Sequence, residues 1–256
     1  MGRFLLYIRG KENFILVLLI FLAILIRTAY VIHIYKTVGT DNWNDDRYYI
    51  FFGEQIASGN WYPNYEAEKY MRVAPWISLI IASFLKIFGT PVVPFYTYNI
   101  ILSGLLVFVL YRLGKELIGG ETGFILAFWG CFNVEFIRYT PHILKEPTLY
   151  LIVPLILYLI ILHLKRNNYC FFLLSAFFFA LLIHTDERYF FYFPILPAII
   201  LFQRHIHLKK KLSEIIIWVL FVVILMLPWG IRNYNMYGQV VILSPRTTVF
   251  TSYLWG

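Results

Sequence analysis

Long apolar stretches separated by short polar segments dominate the chain. A helix needs roughly 20 apolar residues to cross the ~30 Å hydrocarbon core of a membrane. Seven stretches reach or approach that length, and we predict a transmembrane helix in each: 13–35, 93–113, 122–140, 146–164, 169–184, 187–203 and 213–230. The pattern therefore predicts an all-α integral membrane protein with about seven spans.

The apolar stretch 75–88 is shorter and is interpreted differently. Pro75 suits the first position of a helix and Gly89 suits its end. At ~1.5 Å per residue this helix is only ~21 Å long, too short to cross a membrane. We expect it to lie along the outer membrane surface as a juxtamembrane helix. A second juxtamembrane helix is predicted just before it, with an apolar face that carries Tyr49, Phe52 and Ile56.

Basic residues are concentrated on one side of this predicted topology. With the N-terminus inside, the inside segments hold eleven Lys and Arg against four Asp and Glu. Cytoplasmic loops are enriched in Lys and Arg. We therefore expect a plasma-membrane protein with residues 1–12 in the cytoplasm, an outer loop at 36–92 and the start of a second outer loop at 231–256. Residues 1–256 would then form a single N-terminal transmembrane module, cut off within that second loop.

Composition agrees with a membrane environment. The chain is 60% hydrophobic and 14% charged, with a mean hydropathy of +0.69, whereas soluble domains contain about 25% charged residues. The net charge of +8 would suggest a nucleic-acid partner for a soluble protein. Here it is explained by basic cytoplasmic loops, which fix the membrane topology. The two cysteines lie in or beside apolar stretches, so a disulfide framework is not expected.

Acidic residues stand at two places on the predicted outer side. Asp45 and Asp46 precede the first juxtamembrane helix, and Glu146 begins the fourth span. An ionised carboxylate there could take a proton from an acceptor hydroxyl, and a helix N-terminus favours the ionised form. The alternatives are that one aspartate caps the helix and that Glu146 pairs with Lys145.

Four arginines are predicted near the outer interface: Arg27, Arg72, Arg188 and Arg232. Arginine binds phosphate through two parallel hydrogen bonds, so these residues suit a lipid phosphate. For any one of them, contact with membrane headgroups is the alternative, and Arg188 also follows two acids that could neutralise it.

Several short motifs follow one another along the chain. They are Asp45-Asp46-Arg47-Tyr48-Tyr49, Ala57-Ser58-Gly59, Tyr70-Met71-Arg72-Val73-Ala74-Pro75, Lys86-Ile87-Phe88-Gly89, Glu146-Pro147 and Pro228-Trp229-Gly230-Ile231-Arg232-Asn233-Tyr234. Their order and spacing resemble the C-type glycosyltransferase superfamily. Within it they are similar to the bacterial branch related to protein O-mannosyltransferases and lipid A aminoarabinose transferases.

This resemblance implies transfer of a sugar from a polyprenyl-phosphate donor to a lipid, glycan or protein acceptor on the outer face, with inversion. It implies no nucleic-acid partner. The site residues that it suggests are Asp45 as catalytic base, Glu146 as second carboxylate and Arg72 as the basic residue at the donor phosphate. We also expect Asp46, Tyr48, Arg188 and Arg232 to be substrate-binding residues. The alternative is a non-catalytic membrane protein, either a lipid-linked sugar flippase or a scaffold subunit.

The motif match favours Asp45 over Asp46 as the base. Helix geometry agrees if the helix begins near Arg47, because Asp46 would then cap it and Asp45 would remain free to face the acceptor. A divalent cation held by Asp45 and Asp46 is a further possibility, because carboxylate oxygens are ligands of hard cations.

Overall fold

The computed structural model describes residues 11–39, 45–61, 73–203 and 207–237. In these segments the regular structure is entirely helical. The helices are α1 (Glu12–Thr37), α2 (Asp46–Ala57), α3 (Pro75–Phe88), α4 (Val92–Leu117), α5 (Gly120–Phe132), α6 (Val134–Arg138), α7 (Glu146–Arg166), α8 (Tyr169–Thr185), a 3₁₀ helix (Glu187–Tyr192), α9 (Ile195–Leu201) and α10 (Leu208–Tyr237). The all-α prediction is confirmed.

Four helices are long and apolar enough to cross a membrane. They are α1, α4, α7 and the segment Leu208–Asn235 of α10, with lengths of 26, 26, 21 and 28 residues. Each coincides with a span predicted from the sequence. α10 extends beyond the predicted span, so residues 231–237, expected at the start of an outer loop, continue the helix.

The other three predicted spans are short or broken helices, and seven spans are not confirmed. The stretch 122–140 breaks at Asn133, whose backbone is extended and whose side chain accepts the N–H of Phe136 to begin α6. The stretch 169–184 forms α8, with 17 residues. The stretch 187–203 is divided between the 3₁₀ helix and α9, which begins after Pro194.

The two helices expected in the first outer loop are present. α3 has the predicted bounds, beginning at Pro75 and ending before Gly89, whose φ of 71° is left-handed. α2 packs across α3 at Gly53, where a Cβ atom would lie 2.5 Å from the side chain of Ile81. The apolar face predicted for α2 is confirmed, since Tyr49, Phe52 and Ile56 are all buried in this contact.

Arg27 is fully buried between α1 and α5. Its guanidinium donates to the carbonyls of Gly130 and Cys131, each at 2.8 Å, near the C-terminal end of α5. Terminal carbonyls of a helix have no partner within it. Arg27 therefore joins two helices, and its predicted place near a lipid phosphate is wrong.

Polar contacts at one end of the bundle join helices that are distant in the chain. They are Lys115–Glu12 at 2.6 Å between α4 and α1, Arg166–Glu116 at 3.3 Å between α7 and α4, and Lys210–Asn167 at 2.7 Å between α10 and the turn after α7. The acidic residues singled out from the sequence lie at the opposite end.

Candidate functional site

Asp45 and Asp46 occupy different environments at the start of α2. Asp45 is exposed and takes the N-cap position, but its side chain makes no capping hydrogen bond. Asp46 is the first helical residue and is only 1% exposed. Its Oδ1 has no hydrogen-bond partner. The prediction that Asp46 caps the helix is therefore wrong, because the N-cap position belongs to Asp45.

The position of Asp46 changes its protonation. The pKa of its carboxyl is raised from 3.8 to about 7. Burial is the largest cause, and the negative charges of Asp45 and Glu146 act in the same direction, while a hydrogen bond from the backbone of Ile143 lowers the pKa. A carboxyl with this pKa exchanges its proton near neutral pH. Because the charge of Glu146 affects the pKa of Asp46, these two residues from distant parts of the chain lie close together in the folded protein.

Glu146 is held by contacts that fix the turn before it. Asn99 of α4 donates to the carbonyls of Thr140 and His142, at 2.9 Å each. The buried Ile143 follows in the same turn and packs in the cluster that includes Tyr49 and Phe52. The turn therefore brings Glu146, the first residue of α7, beside α2, where its buried Oε2 has no partner.

A second group of charges lies next to Glu146. Asp186, at the end of α8, is 1% exposed and accepts from Lys145 at 2.9 Å and from Arg188 at 2.6 Å. Burial alone would raise the pKa of Asp186, but the hydrogen bonds from Arg188 and Lys145 outweigh it and lower the pKa to about 2. Asp186 also raises the pKa of Arg188. The proposed Lys145–Glu146 pair is thus replaced by Lys145–Asp186, and the neutralisation of Arg188 is confirmed.

Arg232 joins the end of α10 to the segment that follows α2. Its guanidinium donates to the carbonyl of Trp61 at 3.0 and 3.3 Å and to Asn233 at 2.8 Å. It also lies over the rings of Trp229 and Phe52, at 4.8 and 5.7 Å. Since Phe52 is on α2, this arginine stands at the same end of the bundle as Asp46.

The structure thus brings together most of the residues suggested by the sequence. Tyr48 is half-buried at the edge of the α2–α3 cluster. Arg72 lies outside the described residues. Lys145 and Asp186 were not predicted as site residues. The polar turn 184–187 between two apolar stretches was the signal that could have indicated Asp186.

A metal was expected only as a possibility at Asp45 and Asp46. The unpartnered carboxylate oxygens of Asp46 and Glu146 have the chemistry that hard cations prefer. Among the described residues, however, no group of three or more His, Cys, Asp and Glu is close enough to hold an ion. A cation at Asp45 and Asp46 stays a prediction.

Comparison with known families identifies the type of protein. The model of the dolichyl-phosphate-mannose-protein mannosyltransferase family matches residues 72–231, more than half of the chain. The chain belongs to this family. No curated protein matches it.

Membership in the mannosyltransferase family confirms the C-type glycosyltransferase resemblance and makes the protein a membrane glycosyltransferase. The matched segment contains Glu146, Asp186 and Arg188. Arg232 directly follows it and Asp45 precedes it by 27 residues, so their roles rest on the motifs and on the geometry.

Proposed function

We propose that the protein transfers a sugar from a polyprenyl-phosphate donor to a lipid, glycan or protein acceptor at the outer face of the plasma membrane, with inversion. The observation that carries this proposal is the convergence of Asp46 and Glu146. Each has a buried carboxylate oxygen without a partner, and Lys145, Arg188 and Arg232 lie at the same end of the bundle.

The charges suit the proposed reaction. The acceptor hydroxyl attacks the anomeric carbon of the sugar, and the bond from that carbon to the donor phosphate oxygen breaks. The electron pair of that bond leaves with the phosphate, and the hydroxyl proton passes to a carboxylate. Cations near the phosphate stabilise the charge that develops on it. The products are the glycosylated acceptor and polyprenyl phosphate.

Asp45 is the proposed base, and Glu146 is the proposed second carboxylate. The exposure of Asp45 supports this assignment, because an acceptor arriving from solvent can reach its carboxylate. Asp46 and Tyr48 are proposed to contact the substrate. A reversed assignment, with Asp46 as base, is an outcome of the test given in the Discussion.

Arg72, Arg188 and Arg232 are the proposed ligands of the donor phosphate. Arg188 is mostly exposed, with 72% of its side chain accessible, while one edge bonds Asp186. Arg232 is held over two aromatic rings, which limits its motion before the donor arrives. Preorganised donors of this kind favour the transition state, because they do not have to reorient during the reaction.

The proposed topology has seven crossings, three of them by short or broken helices, and a cytoplasmic N-terminus. This topology is supported by the location of two groups of polar residues at opposite ends of the bundle. Glu12, Glu116 and Asn167 are bonded at one end of the bundle, while Asp46 and Asp186 belong to the other. The segment from α5 to α6 must then pass from one end to the other, although it breaks at Asn133.

The direct test uses membranes that contain the overexpressed protein and dolichyl-phosphate-mannose as donor probe. We expect release of dolichyl phosphate above that of membranes without the protein, and loss of this release in Glu146→Gln. Glu135→Gln, which breaks an exposed ion pair with Arg138, is the matched control. A flippase or scaffold would release no dolichyl phosphate above the level of membranes without the protein, and that result would reject the proposed activity.

A further inference from the structure

Asp186 makes contacts that extend beyond Arg188. Its Oδ1 accepts the backbone N–H of Arg188 at 3.1 Å, which begins the 3₁₀ helix, and its carboxylate also receives the Arg188 guanidinium. The third donor is Lys145, at 2.9 Å from Oδ2. One buried carboxylate therefore joins the end of α8 to the start of α7.

Lys145 connects Asp186 to the proposed site. It directly precedes Glu146, and its carbonyl accepts the N–H of Leu149 in the first turn of α7. Asn99 holds the same turn from the side of α4. Glu146 thus stands just after a segment that is fixed from both sides, by Asn99 and by Asp186.

We propose that Asp186 is a positioning residue, which holds Lys145 and thereby fixes the start of α7 and the direction of the Glu146 carboxylate. The proposal rests on the proposed transferase function. Asp186 touches no reacting atom and acts through the side chain of Lys145.

Asp186 contacts two cations, Lys145 and Arg188, and their different exposure indicates that it acts on the site through Lys145. The Lys145 side chain is 17% exposed, whereas that of Arg188 is 72% exposed. Without Asp186, the exposed guanidinium remains solvated, but the ammonium of Lys145, whose side chain is mostly buried, is left without this counter-ion. An unpaired buried charge is unfavourable, so Lys145 should move toward water and carry the first turn of α7 with it.

The expected effect of Asp186→Asn on kcat and KM follows from the loss of a negative charge. Removing Asp186 makes the site more positive, so an anionic donor should bind no more weakly. Misplacement of Glu146 should instead slow the chemical step, by about 10- to 100-fold for a shift of roughly 1 Å. We therefore expect Asp186→Asn to lower kcat while KM for dolichyl-phosphate-mannose stays equal or falls.

The experiment compares Asp186→Asn, Lys145→Met and the double variant in membranes that contain the full chain. We expect each single variant to lower kcat similarly and the double variant to be no worse than either one. Asp186→Glu should recover part of the rate. Glu135→Gln, which removes an exposed ion pair, should behave as wild type.

A second measurement does not depend on activity. In a background that carries Cys170→Ser and Glu146→Cys, the rate at which a water-soluble maleimide labels the introduced thiol reports the position of the start of α7. Adding Asp186→Asn should change this rate severalfold, and adding Glu135→Gln should leave it unchanged.

Several results would overturn the positioning role. They are a rise in KM at constant kcat that matches Arg188→Met, rate losses that multiply in the double variant, or a labelling rate unaffected by Asp186→Asn. Failure of the proposed function has a different appearance, because membranes with the wild-type protein would then release no more dolichyl phosphate than membranes without it, whatever Asp186 does.

Discussion

Asp46 and Glu146 lie far apart in the chain, yet the charge of Glu146 raises the pKa of Asp46 in the folded protein. Asp46 begins the first juxtamembrane helix, and Glu146 begins a membrane-spanning helix. Ile143 and the turn held by Asn99 bring the two together. This pair is the centre of the proposed transferase site, and its electrostatics can be measured.

Asp46→Asn should stabilise the protein above neutral pH. The pKa of Asp46 is about 7 when folded and 3.8 in its ordinary state, so the folded protein binds more protons between these values. The stability that this group contributes is full below pH 3.8 and is lost as the pH rises through 7. We expect Asp46→Asn to raise Tm by about 2 °C or more at pH 8, and by less than half as much at pH 5.

The measurement is thermal unfolding in detergent at both pH values, with Glu135→Gln as an exposed control. An equal Tm change at pH 5 and pH 8 would contradict the raised pKa of Asp46.

Asp45→Asn should lower donor turnover by about 10²–10⁴-fold, the usual contribution of a general base. The substitution retains the shape of the side chain and removes its basicity. Turnover of dolichyl-phosphate-mannose is compared for Asp45→Asn and Asp46→Asn at pH 8. Wild-type rates in Asp45→Asn with none in Asp46→Asn would reverse the assignment. Loss in both that depends on added chelator or Mg²⁺ would indicate a shared cation.

Removal of the proposed phosphate ligands should weaken donor binding. A hydrogen bond to a charged group contributes about 1.5–3 kcal/mol, so Arg72→Ala or Arg188→Ala should raise the Kd for dolichyl phosphate by about 10- to 150-fold. Arg138→Ala, from an exposed pair, serves as the control. Unchanged affinity after removal of both Arg72 and Arg232 would locate the phosphate elsewhere.

Cysteine labelling should give an alternating topology. Single cysteines at positions 42, 116, 142 and 208 should be labelled from the outside, the inside, the outside and the inside, because the basic segments remain in the cytoplasm. A membrane-impermeant maleimide applied to intact and to opened cells distinguishes the sides. If positions 42 and 116 were labelled from the same side, both the topology and the proposed site would be wrong.

The sequence by itself determined the features that depend on local chemistry. Four stretches are apolar over enough residues to predict long helices, and each is such a helix. The bounds of α3 follow from Pro75, which suits a first helical position, and from Gly89, which tolerates a left-handed φ. The buried face of α2 follows from the helical spacing of Tyr49, Phe52 and Ile56. The motifs also indicated the glycosyltransferase family to which the chain belongs.

Tertiary structure alone decided which polar groups meet. The sequence suggested that Arg27 lies near the outer interface, but in the structure it is buried and donates to the carbonyls at the end of α5. The sequence predicted that Asp46 caps α2, but packing against the segment that contains Ile143 buries its carboxylate. Lys145 bonds Asp186, some forty residues later, and not its neighbour Glu146. A buried charge is stable only with a partner, and only the packed helices bring that partner from a distant part of the chain.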